Sequence, residues 1–352
     1  AEHRSIMLGK QVVRERKLLE KLEGRHLRDV LKLLWHESDY AFDPGASWIA
    51  ELVDMEAVLK IVAPEAHRKL LEKESLAGLE EEPAAEKAPE ENTGVVKLYA
   101  PADFDSMARA GRLAAECLDM IGPFVKPGVT TDAIDKVCHD FIVDHDAYPS
   151  PLNYRGFPKS ICISINHVVC HGIPGDRVLK DGDIMNIDVT VTLDGWYGDS
   201  SRMYFAGKPK LKARRLSDVT YEAMMRGIAV VKPGATLGDI GHAIQSYAEA
   251  ERCSVVRDFC GHGLGRVFHD APNVLHYGAA GKGMELREGM FFTIEPMINL
   301  GTWEVKMMND GWTAVTRDKS LSAQFEHSLG VTADGVQIFT TSPMGLHKPP
   351  YD

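Results

Sequence analysis

Four carboxylates and one histidine lie in sequence surroundings that suit a solvated side chain poorly, and their types are those that hold divalent cations. The run Asp183-Ile184-Met185-Asn186-Ile187-Asp188-Val189-Thr190-Val191-Thr192 reads as a β-strand, and Asp194-Gly195 after it is a hairpin turn signal. The return strand carries Tyr197, Gly198, Asp199, Ser200 and Ser201. A two-residue loop at 194–195 sets Asp199 opposite Thr190. It leaves Asp188 on the same face as a diagonal neighbour, with backbones roughly 7–8 Å apart. A bulge at Gly198 would change that register. The pair is either a solvated polar face or a site. The apolar neighbours of Asp188 disfavour solvation, and two close carboxylates repel unless cations hold them.

Three further positions share the anomaly. Cys260-Gly261-His262-Gly263-Leu264-Gly265 sets a histidine where backbone or ligand can approach closely. A plain turn or a phosphate cradle reads equally from these glycines, but no Lys-Ser/Thr follows the last of them, which excludes a Walker loop. Phe291-Phe292-Thr293-Ile294-Glu295-Pro296 is an apolar strand ending in a carboxylate, and Gln324-Phe325-Glu326-His327 repeats the pattern. A buried carboxylate needs a partner, and for either glutamate alone a salt bridge serves as well as a metal. Taken together, Asp188, Asp199, Glu295 and Glu326 carry four negative charges that two divalent cations neutralise, with His262 adding a neutral nitrogen. Mixed carboxylate and imidazole donors suit Mn, Fe, Co or Zn rather than a thiolate-type zinc site. Two such ions about 3.5–4 Å apart can share a hydroxide and polarise a carbonyl.

The elements that must position these groups are α/β in pattern. Helical spacing is expected from about 103 to 124, 132 to 145, 212 to 231 and 237 to 250, with β-rich runs at 184–192 and 290–294. Lys126-Pro127-Gly128-Val129-Thr130 and Lys232-Pro233-Gly234-Ala235-Thr236 echo one another 106 residues apart. Each supplies a Pro-Gly turn and a threonine N-cap, followed by Ile134 or Ile240 at the same offset. The echo predicts two related halves with the chemistry between them.

Ahead of this unit, residues 1–71 read as a helical extension, with Leu27, Val30, Leu31 and Leu34 at helical spacing and Lys10, Arg14, Arg16, Lys17 and Lys21 making its start basic. Residues 72–92 read as an acidic flexible linker, since eight Glu and two Lys give it a net charge of −6. Residues 93–352 form the third expected domain. The whole chain of 352 residues carries a net charge of −11, which argues against a chain-wide nucleic-acid footprint. Its six cysteines form no CxxC pair, so neither a zinc ribbon nor a disulfide framework is expected. No apolar run reaches membrane-spanning length and no apolar leader opens the sequence, so the expectation is a cytoplasmic protein.

The order Asp, Asp, His, Glu, Glu in these surroundings resembles type I methionine aminopeptidase of the bacterial kind. The segments carrying the resemblance are Lys159 to Asn166, Cys170-His171-Gly172-Ile173-Pro174, Asn186 to Thr190, Gly261-His262-Gly263, Thr293-Ile294-Glu295-Pro296-Met297, Asp310-Gly311-Trp312-Thr313 and Gln324-Phe325-Glu326-His327. The resemblance implies a pita-bread fold of two pseudo-symmetric α/β halves around a metal pair, and removal of the N-terminal methionine of nascent polypeptides that have a small second residue. It implies Asp199 and Glu326 as bridging ligands, Asp188 on one ion, and His262 and Glu295 on the other. A metal-activated hydroxide would attack the first peptide bond with Glu295 as proton shuttle. His269 would serve the scissile carbonyl, and His171 the leaving amide or the substrate backbone. Tyr154, Phe157, Cys162, Phe268 and Trp312 match the wall of a methionine pocket, where rings and sulfur suit a thioether. Pro151 and Arg155 depart from residues common at those positions. The family suggests a monomer.

Prolidase and aminopeptidase P share the fold and ligand types, but they carry a larger α/β domain ahead of the catalytic unit. The Cys170 to Pro174 run favours the methionine enzyme. A metal-free binding module on ribosomes or RNA would have lost ligands, and all five stand here. Residues 1–92 lack the Cys/His pattern of the zinc-finger extensions of eukaryotic relatives. Their basic start offers a ribosome-docking segment, against the plainer reading of a helical appendage or an unrelated fused piece.

Overall fold

The computed structural model describes residues 94–351, and the helical extension, the acidic linker and the basic cluster expected before them lie outside that span. A nine-stranded antiparallel sheet forms the centre. Its strands are β1 (Tyr148–Pro149), β2 (Cys162–Ile165), β3 (Asp183–Leu193), β4 (Trp196–Ala206), β5 (Gly261–Gly263), β6 (Asp270–Val274), β7 (Phe291–Ile294), β8 (Glu326–Val331) and β9 (Val336–Ile338). They run in the order β1-β3-β4-β8-β7-β5-β6, with β2 also on β3 and β9 also on β8. Four helices flank them: α1 (Pro101–Ile121), α2 (Thr131–Asp144), α3 (Leu211–Ala229) and α4 (Leu237–Ala250).

The helices lie within a residue or two of their sequence expectations. The first was expected to reach 124. It ends as an α-helix at Ile121 and tightens into a 3₁₀ turn over Gly122–Phe124, where Pro123 has no N–H to continue the ladder. Thr130 and Thr236 cap α2 and α4, each hydroxyl accepting from the backbone N–H three residues on.

The echoed turns do equivalent work. Gly128 N donates to Leu179 O and Gly234 N to Leu286 O; Leu179 N returns to Val129 O and Leu286 N to Ala235 O. Each turn thereby clamps the segment that leads into a central strand. That segment is itself echoed, as Leu179-Lys180-Asp181-Gly182-Asp183 before β3 and Leu286-Arg287-Glu288-Gly289-Met290 before β7. Two apolar cores follow. One packs Leu118, Ile134, Ile187 and Val189 under α1 and α2; the other packs Ile240, Ile244, Phe292 and Leu329 under α3 and α4. Side-chain alternation along the strands then decides which residues face inward. With Met185, Ile187, Val189 and Val191 turned to the first core, Asp188 and Thr190 point to the opposite face. Phe292 and Ile294 in the second core likewise turn Thr293 and Glu295 away from it.

Behind the sheet, Arg202 pairs with Asp119 in full burial. Asp119 also accepts from Ser342 Oγ at 2.8 and 2.9 Å and from Met344 N at 3.2 Å, which ties the C-terminal segment to α1. Among the described residues, no helix is long and apolar enough to cross a membrane.

Candidate metal centre

β3 and β4 pair without interruption across the Asp194-Gly195 turn, with Thr190 opposite Asp199 and Gly198 in register opposite Val191, so no bulge forms. β4 joins β8 through Glu326 opposite Ser201 and His327 opposite Ser200, at the boundary between the halves. Ser328 Oγ donates to Asp199 O at 2.6 Å and locks that seam. Asp199 and Glu326, each 3% exposed, thus come from the two strands that meet at the centre. Asp188 follows the entry to β3 as Glu295 follows the entry to β7, 107 positions later.

His262 arrives from β5, which is wedged between β7 and β6. A Cβ at Gly261 would lie 2.3 Å from Thr293 O, and one at Gly263 2.0 Å from Ala271 O, so only glycine fits on either side of the histidine. His262 Nδ1 donates to Gly263 O at 3.0 Å, which fixes the tautomer and turns Nε2 inward. Nε2 lies 3.5 Å from Asp199 Oδ2 and 3.6 Å from Glu295 Oε1. One donor atom each from Asp199, His262 and Glu326 lies within 4.8 Å of the others, and Asp188 and Glu295 line the same cavity, of about 390 Å³.

These groups carry uncompensated charge. Burial, then Asp199 and Glu295, hold the Asp188 carboxyl well above the usual range. Burial, Asp199, Glu295 and Asp188 do the same to Glu326. Burial raises Glu295 to about 7 against the pull of His262. Burial alone would lower His262, but its bond to Asp199 and the charges of Glu295 and Asp199 raise it on balance. Asp188 Oδ1 is buried with no hydrogen-bond partner among the described residues. Repelling carboxylates, an orphaned oxygen and an imidazole with a pre-set lone pair are what divalent cations would satisfy, so the donor set fits such ions.

Supporting bonds hold these carboxylates and the imidazole still. Thr190 Oγ1 donates to Asp199 Oδ1 at 2.8 Å. Thr293 Oγ1 accepts from His262 N at 3.0 Å and donates to Glu295 Oε1 at 2.8 Å. Glu295 N donates to His276 Nε2 at 3.1 Å, and Gln324 Nε2 reaches Glu295 Oε2 at 3.3 Å. Sequence reasoning set Thr190 opposite Asp199 but gave a supporting role to none of Thr190, Thr293, His276 and Gln324. Thr293 and Gln324 sit two positions from ligands, at strand period from them, and that was their available signal; His276 carries none.

His171, His269, Tyr154, Phe157, Cys162, Phe268 and Trp312 all line this cavity. Phe157 meets Trp312 edge-on at 5.2 Å between ring centres, Tyr154 lies 4.8 Å from Phe268, and Cys162 pairs in register with Asp188. Burial keeps the Cys162 thiol protonated. His269 Nδ1 bonds the Tyr154 hydroxyl at 3.0 Å. Burial, then His262, His171 and Arg155, push His269 well below its ordinary value, and burial lowers His171, so both rings are neutral near pH 7. Cys170, Cys260, Asp258 and Phe259 also line the cavity and were not singled out from the sequence.

Comparison with known proteins agrees with this geometry. Residues 105–333 match metallopeptidase family M24. Methionine aminopeptidase of Rickettsia prowazekii (strain Madrid E) is 63% identical over 257 residues, 73% of this chain and 99% of the relative. A crystal structure of methionine aminopeptidase from Rickettsia prowazekii, 64% identical, covers 70% of this chain and 100% of that chain with a TM-score of 0.70. The prolidase from Pyrococcus horikoshii OT3, 18% identical with a TM-score of 0.53 over 69% of this chain and 63% of its own, shares the fold alone. The two halves are those of the pita-bread fold, and the family uses divalent metal ions. This chain belongs to the methionine aminopeptidases of metallopeptidase family M24.

Proposed function

We propose that the protein removes the N-terminal methionine of nascent polypeptides with a small second residue, and that Asp188, Asp199, His262, Glu295 and Glu326 would hold two divalent cations, Fe, Mn, Co or Zn. The observation that carries this reading is the meeting of Asp199, His262 and Glu326 donor atoms beside an aromatic and thiol-lined pocket. When bound, such ions supply Lewis acidity towards a carbonyl and a water that ionises near neutral pH.

The chain's own residues do the rest. Tyr154, Phe157, Cys162, Phe268 and Trp312 present rings and a neutral thiol to the methionine side chain, contacts worth about 0.3–1.5 kcal/mol each for sulfur on an aromatic edge. With the Tyr154 hydroxyl donating to His269 Nδ1, the neutral ring carries Nε2–H, which donates to the scissile carbonyl oxygen as it gains charge. His171, edge-on to Phe259 at 5.3 Å, would serve the leaving amide or the substrate backbone. Glu295, steadied by Thr293 and Gln324, accepts the proton of the attacking water and returns it to the departing amine. The setting is cytoplasmic and the protein acts as a monomer, with residues 93–352 as the catalytic domain.

Metal-loaded protein offered Met-Ala-Ser and Ala-Pro peptides tests the reading. Release of methionine from the first and no cleavage of the second is expected; the reverse preference would make the protein a prolidase-type enzyme, and no cleavage of either would end the assignment.

A further inference from the structure

The cavity wall holds one charged residue whose backbone is constrained to present it. Arg155 sits in the turn Tyr154–Gly156 with φ 47°, between Asn153 at 65° and Gly156 at 85°. A non-glycine residue in the left-handed region persists only where its surroundings over-determine it. They do so here: Asn153 N donates to Phe157 O at 2.8 Å, Gly156 N to Asn153 O at 3.2 Å, and Tyr154 is tied to His269. The Arg155 side chain is exposed, with its guanidinium carbon 5.3 Å from the centre of the Tyr154 ring, and among the described residues no carboxylate forms an ion pair with it. Asp258 is the other exposed charge lining the cavity, and it is next in sequence to the Phe259 that packs on His171. The cavity therefore has an exposed cation beside Tyr154 and an exposed anion next to Phe259.

An extended peptide turns alternate side chains to opposite faces, and side chains two positions apart share a face about 6.6 Å apart. With the first side chain in the pocket bounded by Tyr154 and Phe268, the third lies on that same wall, one repeat further out. The Arg155 guanidinium, 5.3 Å from the centre of the Tyr154 ring, is the exposed cation of that wall. The second and fourth turn the other way. We infer that Arg155 is a specificity-determining residue, favouring an acidic side chain at the third position of the peptide substrate.

The inference depends on the methionine-removal reading, and its test separates the two. The peptides Met-Ala-Asp-Ser, Met-Ala-Asn-Ser and Met-Ala-Lys-Ser are compared by kcat/KM in metal-loaded full-length protein, at low salt and at 0.5 M salt. A rim charge acting on this scale gives an Asp-over-Lys ratio of about 3–10 at low salt that shrinks with added salt. The ratio falls to near one in Arg155→Gln, inverts in Arg155→Glu and persists in Asp258→Asn. A ratio that Arg155→Gln leaves in place, or that Asp258→Asn removes, overturns the inference, as does a wild-type ratio that is the same at both salt concentrations. Failure of the wild type to cleave Met-Ala-Asn-Ser would instead strike the methionine-removal reading itself, and the inference with it.

Discussion

Glu295→Gln should make the metal-free protein less sensitive to pH, and the size of the effect follows from the burial of one carboxyl. Glu295 is 14% exposed at its side chain and titrates at about 7 rather than 4.5, because burial and Asp199 outweigh His262. A carboxyl whose folded-state value is raised contributes stability that is fully present below the unfolded value and lost as pH climbs through the folded one. Folded protein thus holds a proton between about 4.5 and 7 that unfolded chain gives up. Moving the carboxyl from 4.5 to about 7, at 1.36 kcal/mol per pH unit, amounts to about 3 kcal/mol, most of which falls between pH 5 and pH 8. Glutamine has no proton to lose. In EDTA, the stability of Glu295→Gln relative to wild type should therefore rise by about 2–3 kcal/mol from pH 5 to pH 8, or roughly 5–10 °C in unfolding midpoint. Denaturant melts of both proteins at the two pH values measure this difference of differences, which cancels the intrinsic effect of the amide. Parallel pH dependences would refute the argument that Glu295 is held against its charge. A relative loss of stability in the variant at pH 8 would refute it more strongly.

Other outcomes follow from particular contacts. Thr190→Val removes the 2.8 Å bond to Asp199 and should weaken metal binding or activity by about 10–100-fold while costing only about 1 kcal/mol of stability, read by metal titration beside thermal melts. His269→Ala removes a donor to developing oxyanion charge and should lower kcat by about 10²–10³-fold with little change in KM. Trp312→Ala opens the wall against Phe157 and should reduce kcat/KM for methionyl peptides by roughly 10–200-fold, measured against norleucyl peptides of similar size.

Much of this site was legible because its hardest constraints are local. A two-residue Asp-Gly turn leaves a hairpin one natural register, and that register already put Asp188 and Asp199 on one face. The paired Lys-Pro-Gly turns announced the two halves because each must cap a helix and clamp a strand. The second echo, Leu179 to Asp183 with Leu286 to Met290, was equally visible, and it would have identified Asp188 and Glu295 as equivalent positions. Long-range proximity was not legible. Tyr154 meets His269 across 115 positions, and Gln324 meets Glu295 across 29. Such bonds form only because β-pairing brings strand ends together, and no local propensity encodes them. The pocket walls came from family resemblance for the same reason; Asp258 carries no local signal, and Cys170, although part of the Cys170 to Pro174 run, had no place in the wall until the fold supplied one.

The most direct test is anomalous diffraction from crystals grown with saturating Mn(II). Two peaks roughly 3.5–4 Å apart, both within reach of Asp199 and Glu326, one beside Asp188 and the other beside His262 and Glu295, are the expected result. Manganese bound elsewhere in a protein that still releases methionine would contradict the account at its centre.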